Sequence, residues 1–364
     1  MLKFCLKRLA FLPLVMFGVT FLLFFCLQFL SAEMRASLYI KDPRQLSQLE
    51  AVIEKYHLRA PLLVPFKVVG HLRPTPSVRV VWVGHTQYWT WLNQVLHGDL
   101  GYSEPAKMPV TEAIMAFFPA TFELTLLSFF PILVIGVFFG VLSAVYRDRF
   151  IDHATRFVAI TGYSLPSFVL GLVLLMVFYG RLHWFPPGRY TLETDMLVHA
   201  ETFKHYTGLL TFDCLLNGEG GAYVDAVKHM VLPAVTLIYI SVALLLRITR
   251  SSMLEELSKD YVRTARAKGL PESVVIRKHA LANALIPVVT LSSLLFIGLL
   301  GGVVITETVF DFPGIGRWGV QAAQQLDIPG VLGSTLLAAF LFVMANLVSD
   351  LLYAVVDPRI RVGS

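Results

Sequence analysis

A run of ten residues rich in cations carries the strongest chemical signal in the sequence. It comprises Tyr261, Val262, Arg263, Thr264, Ala265, Arg266, Ala267, Lys268, Gly269 and Leu270. The run lies between very apolar stretches, where a basic, helix-forming loop of this length has little reason to occur unless something binds it. We therefore predict that a separate protein docks here. The alternative is a solvated loop that only follows the preference for Lys and Arg on the inner side of a membrane.

Residues 251–281, which we call the bracket, have the pattern of two helices joined by a turn. Ser251 to Lys268 is rich in Leu, Ala, Glu, Lys and Arg, which favour helix. Gly269 suits a helix end, where left-handed backbone is favoured, and Pro271 with Glu272 suits the start of the next helix. Because such a bracket is fixed at both ends, it can pass a push to the rest of the chain.

Motifs for enzymatic chemistry are absent from the sequence. It has no G-x-x-x-x-G-K-[ST] phosphate loop, no nucleophile elbow and no H-E-x-x-H pattern. We predict that the chain is not an enzyme, and that any nucleotide hydrolysis takes place on another chain. His199 and His205 are the pair we considered as metal ligands, but the ten histidines are scattered and no metal site is predicted.

Prolines inside apolar stretches form a second group of candidates. Pro131, Pro166 and Pro233 each remove a backbone hydrogen bond and tend to kink a helix. Ser164 and Ser167 flank Pro166, and kinked helices with such neighbours often line cavities or act as hinges. We predict a pathway or hinge role for these residues. The alternative is that the kinks only improve packing.

Two carboxylates, Glu123 and Asp350, interrupt the apolar stretches. A charge at the centre of a bilayer costs about 2.5–3.5 kcal/mol on insertion scales. Each lies within about two helical turns of the end of its stretch, so it can reach interfacial water or a buried partner. We predict structural roles, with Asp350 paired to an arginine of the cytosolic face. A proton-coupled carrier would need a carboxylate nearer the midplane.

The composition is that of a membrane protein. Of 364 residues, 56% are hydrophobic and 15% are charged, and the mean hydropathy is +0.67; soluble domains have about 25% charged residues. The net charge of +5 resides in short segments beside apolar runs, not in basic patches interleaved with aromatics. Nucleic acid is therefore not a predicted partner, whereas membrane lipid is.

A bilayer core about 30 Å thick requires about 20 apolar residues in a helix. The sequence offers six such stretches: Leu9–Leu30, Phe118–Tyr146, Phe157–Gly180, His229–Leu246, Ala284–Thr306 and Val331–Val356. With both termini inside the cell, 16 of the 30 Lys and Arg residues fall in the short inner segments. This excess predicts cytosolic termini and cytosolic loops at Arg147–Arg156 and Arg247–Asn283.

The predicted organisation follows from these spans. Residues 1–30 form a tail and first span, residues 31–117 an extracytoplasmic segment, and residues 118–356 the transmembrane core. The core contains an outer loop at 181–228 and a cytosolic loop at 247–283, and residues 357–364 are a cytosolic tail. Asp42-Pro43 followed by Leu46, Leu49, Ile53 and Tyr56 predicts a short amphipathic outer helix, either a lid or a landing surface for a partner.

Several motifs together resemble the inner-membrane permease subunits of bacterial and archaeal ABC importers, in the branch that handles dipeptides, oligopeptides and nickel. The chain is most similar to the first of the two permease subunits. The motifs are Tyr56–Pro61, Leu96–Ser103, Ser164–Phe168, Arg247–Met253, Tyr261–Leu281, Glu307–Phe310, Phe312–Gly316 and Asp357–Ile360. Arg263 and Thr264 stand where the family's coupling segment begins Glu-Ala. Residues 62–84 and 190–223 are longer than the family pattern.

The resemblance implies an all-α, type I importer permease with six transmembrane helices in the cytoplasmic or inner membrane. It implies a second, related permease subunit, two ATP-binding subunits that dock on the coupling segment, and an extracytoplasmic solute-binding protein. ATP and Mg would reside on the partner subunits, and no cofactor on this chain. Di- or oligopeptides are the expected solute, with nickel or another small solute as the alternative. The other functional hypotheses are a secondary carrier, an exporter and a membrane enzyme.

Overall fold

The computed structural model describes residues 2–27, 29–39, 49–55, 66–71, 77–82, 87–301 and 303–356. It is helical throughout apart from two small antiparallel hairpins in the described residues. Two compact units divide the chain. The first contains Met1–Leu9, Phe118–Arg317 and Leu341–Ser364, and the second contains Ala10–Phe117 and Trp318–Phe340.

The N-terminal third alternates short helices with the hairpins. Its elements are α1 (Leu2–Leu27), α2 (Ala32–Ala36), a 3-10 turn (Ser37–Tyr39), α3 (Leu49–Lys55), β1 (Phe66–His71), β2 (Ser77–Trp82), α4 (Gln87–Leu96), β3 (Tyr102–Ser103) and β4 (Met108–Pro109). In the first hairpin Phe66 pairs with Trp82 and His71 with Ser77. The predicted outer helix corresponds to α3, while its predicted start at Asp42 and its last position, Tyr56, lie outside the described residues.

Long helices dominate the remainder of the chain. They are α5 (Val110–Val145), α6 (Phe150–Ser164), α7 (Ser167–Leu174) with a π-helical extension (Leu175–Arg181), α8 (Leu192–Val198), α9 (Leu210–Leu216), α10 (Gly220–Ser258), α11 (Asp260–Ala267), α12 (Glu272–Val274) with a π-helical turn (Val275–Ala280), α13 (Leu281–Leu300), α14 (Val304–Val309), α15 (Ile315–Gln324) and α16 (Ile328–Val356).

Among the described residues, four helical stretches are long and apolar enough to cross a membrane: Val110–Val145, Gly220–Ser258, Glu272–Leu300 and Ile328–Val348. A fifth span is present if Phe150–Ser164 and Ser167–Arg181, which are bent by 102° relative to each other, together form one broken span. The fully described apolar part of α1, Pro13–Leu27, is shorter than this length. A multi-pass helical protein is thus observed, and the count of six spans stays a prediction.

The prolines of the predicted spans have different surroundings. Pro166 stands at the sharp bend between α6 and α7, where its backbone is extended (φ −61°, ψ 137°). In contrast, α5 continues through Pro131 and α10 through Pro233. Of these three prolines, Pro166 alone interrupts its helix: Leu165 before it has extended backbone (φ −85°, ψ 124°), the conformation that a following proline favours.

The bracket differs from its prediction in one respect. A single helix was expected from Ser251 to Lys268, but α10 ends at Ser258 and α11 begins at Asp260. Lys259 between them has extended backbone (φ −74°, ψ 152°). The helix-forming composition did not predict this break, because the break arises from the packing of α11 and not from helix propensity.

Each unit has its own apolar core. In the first unit Leu124, Ile132, Leu237, Leu245 and Val288 of α5, α10 and α13 are buried together. In the second unit the buried core joins α1, α4 and the start of α16, with the following members: Phe24, Tyr88, Trp91 and Leu332. The first core positions the bracket, because α10 leads into the bracket, α13 follows it, and both helices pack in this core.

Candidate functional site

The ten predicted docking residues lie together in α11 and the turn that follows it. Val262 and Ala265 are buried, while the other eight are exposed. The buried pair faces one side of α11, and the exposed residues form its outer side and the turn. A surface of this kind is available to a partner without any rearrangement of the core.

The buried side of α11 anchors the bracket to the helices on either side of it. Val262 and Ala265 pack in one cluster with Met253 of α10, Val275 of the π-helical turn and Ala284 of α13. Five apolar residues from four elements therefore form one packed group. Packed interiors transmit displacement because they have few voids.

Tyr261 closes the bracket at its base. Its hydroxyl donates a hydrogen bond to the Glu256 carboxylate at the end of α10 and accepts one from Asn283 Nδ2 of α13 at 3.0 Å. Burial, together with the adjacent Glu256 carboxylate, raises the pKa of Tyr261. Lys259 Nζ lies 2.5 Å from the same carboxylate. One tyrosine thus joins both ends of the bracket.

The turn after α11 is fixed by Gly269 and by an ion pair. Gly269 has φ +74°, the left-handed conformation that favours glycine, and its amide donates to the Arg266 carbonyl at 2.9 Å. Across the turn Arg266 donates twice to Glu272, at 3.1 and 2.6 Å. This interaction raises the pKa of Arg266. The predicted roles of Gly269 and Glu272 in the turn match its geometry.

The outer side of the bracket carries positive charge. Arg263, Lys268, Arg277 and Lys278 are exposed. Arg263 contacts Asp260 at 3.3 Å, but both side chains are largely exposed and such pairs contribute little. A surface with this charge would attract a partner with an acidic groove.

A buried ion pair next to the bracket was missed in the sequence. Asp152 of α6 is fully buried and accepts two hydrogen bonds from Arg250 of α10, at 2.7 and 2.9 Å. Ser143 Oγ donates to it at 2.6 Å and the Asp148 amide at 3.0 Å. The network ties α5, α6 and α10 together.

The pathway and hinge candidates do not form one cluster of polar contacts. No hydrogen bond between Pro131, Ser164, Pro166, Ser167 and Pro233 occurs in the part of the chain that the structure describes. Pro233 is buried in the α10 core and Pro131 is half-buried, whereas Ser164 and Pro166 are exposed at the bend. A shared pathway for them stays a prediction.

Glu123 has partners that fit the predicted structural role. It is buried and accepts hydrogen bonds from Arg189 Nη2 at 3.2 Å and from the Thr211 amide and hydroxyl at 2.7 and 2.8 Å. These contacts tie α5 to the segment before α8 and to the start of α9. The side chain of Asp350 lies outside the described residues, so its predicted arginine partner stays a prediction.

Each histidine considered as a metal ligand lies near one carboxylate. His199 lies 3.3 Å from Asp195 and His205 lies 3.8 Å from Asp213. No group of three or more metal-ligating side chains occurs among the described residues.

Glu307 is a second buried carboxylate that residue-level reasoning did not single out as a site. It is fully buried and accepts hydrogen bonds from Thr121 Oγ1 and from the Arg317 amide, both at 2.8 Å. Burial raises the pKa of Glu307. Thr121 in turn accepts from the Ile315 amide at 2.9 Å. The available signal was the motif Glu307–Phe310, quoted above only for its family resemblance.

Several apolar helices long enough to span a bilayer, with a basic bracket between two of them, define a multi-pass membrane protein. Comparison with known proteins gives the family. Residues 136–362 match the family model for the binding-protein-dependent transport system inner membrane component. The chain therefore belongs to this family of transport permeases.

Individual relatives have peptide-transport names. The chain is 44% identical over 279 residues to the probable D,D-dipeptide transport system permease protein DdpB of Escherichia coli K12, covering 77% of this chain and 81% of that protein. It is 44% identical over 275 residues to the dipeptide transport system permease protein DppB of the same strain, covering 76% and 80%. The predicted resemblance to the dipeptide and oligopeptide branch of ABC importer permeases is confirmed.

Two further comparisons extend along the chain. The di/tripeptide transport system permease protein DppB of Pseudomonas aeruginosa UCBPP-PA14 is 37% identical over 363 residues, which is 99% of each chain. An inward-facing structure of the MetNI methionine ABC transporter covers 70% of this chain and 99% of its own, with 19% identity and a TM-score of 0.47.

Proposed function

We propose that the chain forms one half of the translocation path of an ATP-driven importer for di- or oligopeptides. The names of its relatives, dipeptide and di/tripeptide permeases, support this substrate class. Nickel or another small solute is the alternative within the same machinery. The chain would lie in the cytoplasmic or inner membrane with both termini and the bracket on the cytosolic side, as the distribution of Lys and Arg favours.

The proposed assembly places three kinds of partner around this chain. A second, related permease completes the path, and two ATP-binding subunits hold ATP and Mg. An extracytoplasmic binding protein delivers the solute. Hydrolysis on a partner requires a mechanical link, and Tyr261–Leu270 supply it. The observation that carries the proposal is the bracket itself, with eight exposed residues anchored through buried Val262 and Ala265.

The proposed link passes force through named contacts. A partner that shifts α11 moves Met253 and Ala284 through the packed cluster, and so moves α10 and α13. Arg250 then carries the motion to Asp152 and thus to α6, which bends at Pro166. In this scheme the exposed bend is the hinge of the pathway, and Glu123 keeps the far end of α5 fixed to Arg189.

Substitution of Gly269 tests the coupling. Valine at φ +74° is strained by about 1–3 kcal/mol, although no atom would contact its Cβ. Strain of this size unwinds the turn and displaces Lys268 and Leu270 from the docking surface. We expect Gly269→Val to reduce ATP-driven dipeptide uptake by about tenfold or more, with unchanged insertion into the membrane. Uptake of labelled dipeptide by cells carrying the complete transporter measures it.

The matched control is Gly269→Asn, because asparagine tolerates left-handed backbone. We expect Gly269→Asn to transport like the natural chain and to copurify with the ATP-binding subunits, and Gly269→Val to lose them. Normal uptake by Gly269→Val would refute the docking role. Separately, ion-gradient-driven accumulation by the isolated chain in vesicles would favour a secondary carrier. Competition by nickel but not by dipeptides would favour the alternative solute.

A further inference from the structure

A pocket of about 370 Å³ lies between α6 and α10, and none of the docking residues Tyr261–Leu270 lines it. One face of each helix lines it, at the spacing of successive helical turns. The lining residues are Arg156, Ala159, Ile160, Tyr163 and Ser164 of α6, and Ala243, Leu246, Arg247, Arg250 and Ser251 of α10.

The two helices run antiparallel past this pocket. Asp152 bonds Arg250 at one end, and Thr161 Oγ1 lies 2.8 Å from Tyr239 Oη at the other. Next to the second contact, Gly162 lets the helices approach closely, since a Cβ there would lie 3.0 Å from the Tyr239 carbonyl oxygen. The pocket is therefore a fixed feature of the packed pair.

Positive charge in the pocket exceeds negative charge. Three arginines line it, and the carboxylate beside them is Asp152, both of whose oxygens accept from Arg250. Arg156 Nε is enclosed without a hydrogen bond among the described residues and lies 3.6 Å from the same carboxylate. Asp148, the other acid of this turn, pairs with Arg147 at 3.2 Å.

Arg247 is the cation with the least compensation. Its guanidinium lies 5.4 Å from the centre of the Tyr163 ring, and no carboxylate within the described residues pairs with it. A ring holds the guanidinium in place but supplies no anionic hydrogen-bond acceptor. Arg247 is exposed where the apolar stretch of α10 ends, so its charge is open to an anion from outside the chain.

The surroundings of this charge are apolar and uncovered. Phe157, Ile160 and Tyr163 of α6 are 68%, 65% and 71% exposed, and Ala159, Ala243 and Leu246 line the rest of the pocket. A free anion would use only the arginines. A molecule with an anionic head and long apolar chains would use both the arginines and this apolar strip.

We propose that the pocket binds an anionic phospholipid, with its phosphate on Arg247 and Arg156 and an acyl chain along Ile160 and Tyr163. Basic pockets between membrane helices are suited to anionic headgroups. The fork of a guanidinium matches two phosphate oxygens. The bound lipid would brace α6 beside its bend at Pro166, and this inference does not depend on the transported solute.

Lipid retention tests the proposal. The full-length chain, with the subunits that copurify, is placed in nanodiscs of phosphatidylcholine containing some phosphatidylglycerol. After mild extraction, the lipids bound per chain are counted by mass spectrometry. We expect the natural chain to retain phosphatidylglycerol, and Arg247→Gln to retain about tenfold less because one charge-assisted interaction is lost. Arg147→Gln removes an equal charge from an exposed, paired arginine and should retain it normally.

Each other outcome decides against the pocket. Equal retention by Arg247→Gln, or equal loss by Arg147→Gln, would overturn the site. Displacement of the lipid by excess inorganic phosphate would overturn the lipid assignment in favour of a free anion. If Arg247→Gln does not fold, Tyr163→Leu decides. Its exposed ring can be lost without unfolding, and it should reduce retention several-fold by freeing the Arg247 guanidinium; unchanged retention would refute the proposal.

Discussion

Asp152 shows how one residue can couple three helices. Its carboxylate accepts hydrogen bonds from Arg250 Nε and Nη2, Ser143 Oγ and the Asp148 amide. All four groups donate to the carboxylate, so they stabilise the charged form of Asp152. This offsets the free-energy cost of removing the charge from water. The pair is therefore specific in geometry, and loss of either member leaves a buried group without its partner.

Replacement of Asp152 should destabilise the protein. Asp152→Asn leaves Arg250 without a counter-charge, and breaking such a buried pair costs about 3 kcal/mol. We expect a lower apparent Tm for the detergent-purified chain and weaker coupling of uptake to ATP. Asp148→Asn is the matched control, because Asp148 is 69% exposed and has positive φ that asparagine accepts. Equal Tm values for the two variants would contradict the role of the pair.

At this scale the sequence predicted residues that stand out from their neighbours. Glu123 is a lone carboxylate in an apolar run, so its need for a partner was evident. Asp152 follows a short polar turn and looks like any solvated acid, because its burial depends on Arg250, which is distant in sequence. The pocket arginines could not be predicted from the sequence for the same reason. Three of them meet near one carboxylate only when α6 and α10 pack together.

Among the elements, the crossing of α5 and α10 is set by two glycines one turn apart. A Cβ at Gly136 would lie 2.7 Å from Leu245 Cδ2, and one at Gly140 would lie 2.5 Å from Thr249 Cβ. The two glycines form a G-x-x-x-G pattern, which is a weak motif by itself, yet here their missing side chains make room for Leu245 and Thr249 of α10. A second G-x-x-x-G pattern, Gly298 to Gly302, begins at a glycine that has open space around it.

Alanine substitution at the two patterns should give opposite results. Gly140→Ala forces α5 and α10 apart and should cost about 1–3 kcal/mol, the usual range for overpacking. Gly298→Ala meets no atom within 4 Å and should be neutral or slightly stabilising, since alanine favours helix. The apparent Tm of each purified variant measures the difference. A Gly140→Ala variant as stable as Gly298→Ala would refute the close crossing.

Element boundaries were the least predictable part of the fold. The bracket's turn at Gly269 and Glu272 was predictable because local backbone chemistry determines it. The interruption at Lys259 was not, because α11 turns there to bury Val262 and Ala265 against Met253, a tertiary effect. Likewise, apolar composition located α10 but not its length, since the helix continues well beyond the apolar stretch on both sides.

For the whole molecule, the membrane assignment follows from the length and apolar composition of its helices. The transport function follows from the family match. The Pseudomonas relative aligns over 363 residues, so the long segment between α1 and α5 has a counterpart in at least one peptide permease. Orientation is a separate property. It is predicted from where Lys and Arg fall.

Cysteine labelling in spheroplasts decides the orientation. In a chain with Cys5 and Cys26 replaced by serine, a membrane-impermeant maleimide should label Ala200→Cys from outside. It should label Lys268→Cys only after permeabilisation; both positions are exposed. The natural Cys214 provides the background. It is buried, and burial raises its pKa to about 11, so it offers little reactive thiolate at neutral pH.

The two positions make the labelling result a strict test of the proposed coupling. ATP is available in the cytosol, so a bracket that takes force from ATP-binding subunits must face that side. Labelling of Lys268→Cys in intact spheroplasts would place the bracket outside and remove the physical basis for docking. If Lys268→Cys is labelled in intact spheroplasts and Ala200→Cys is not, the orientation of the whole chain is the reverse of the one that its positive charges predict.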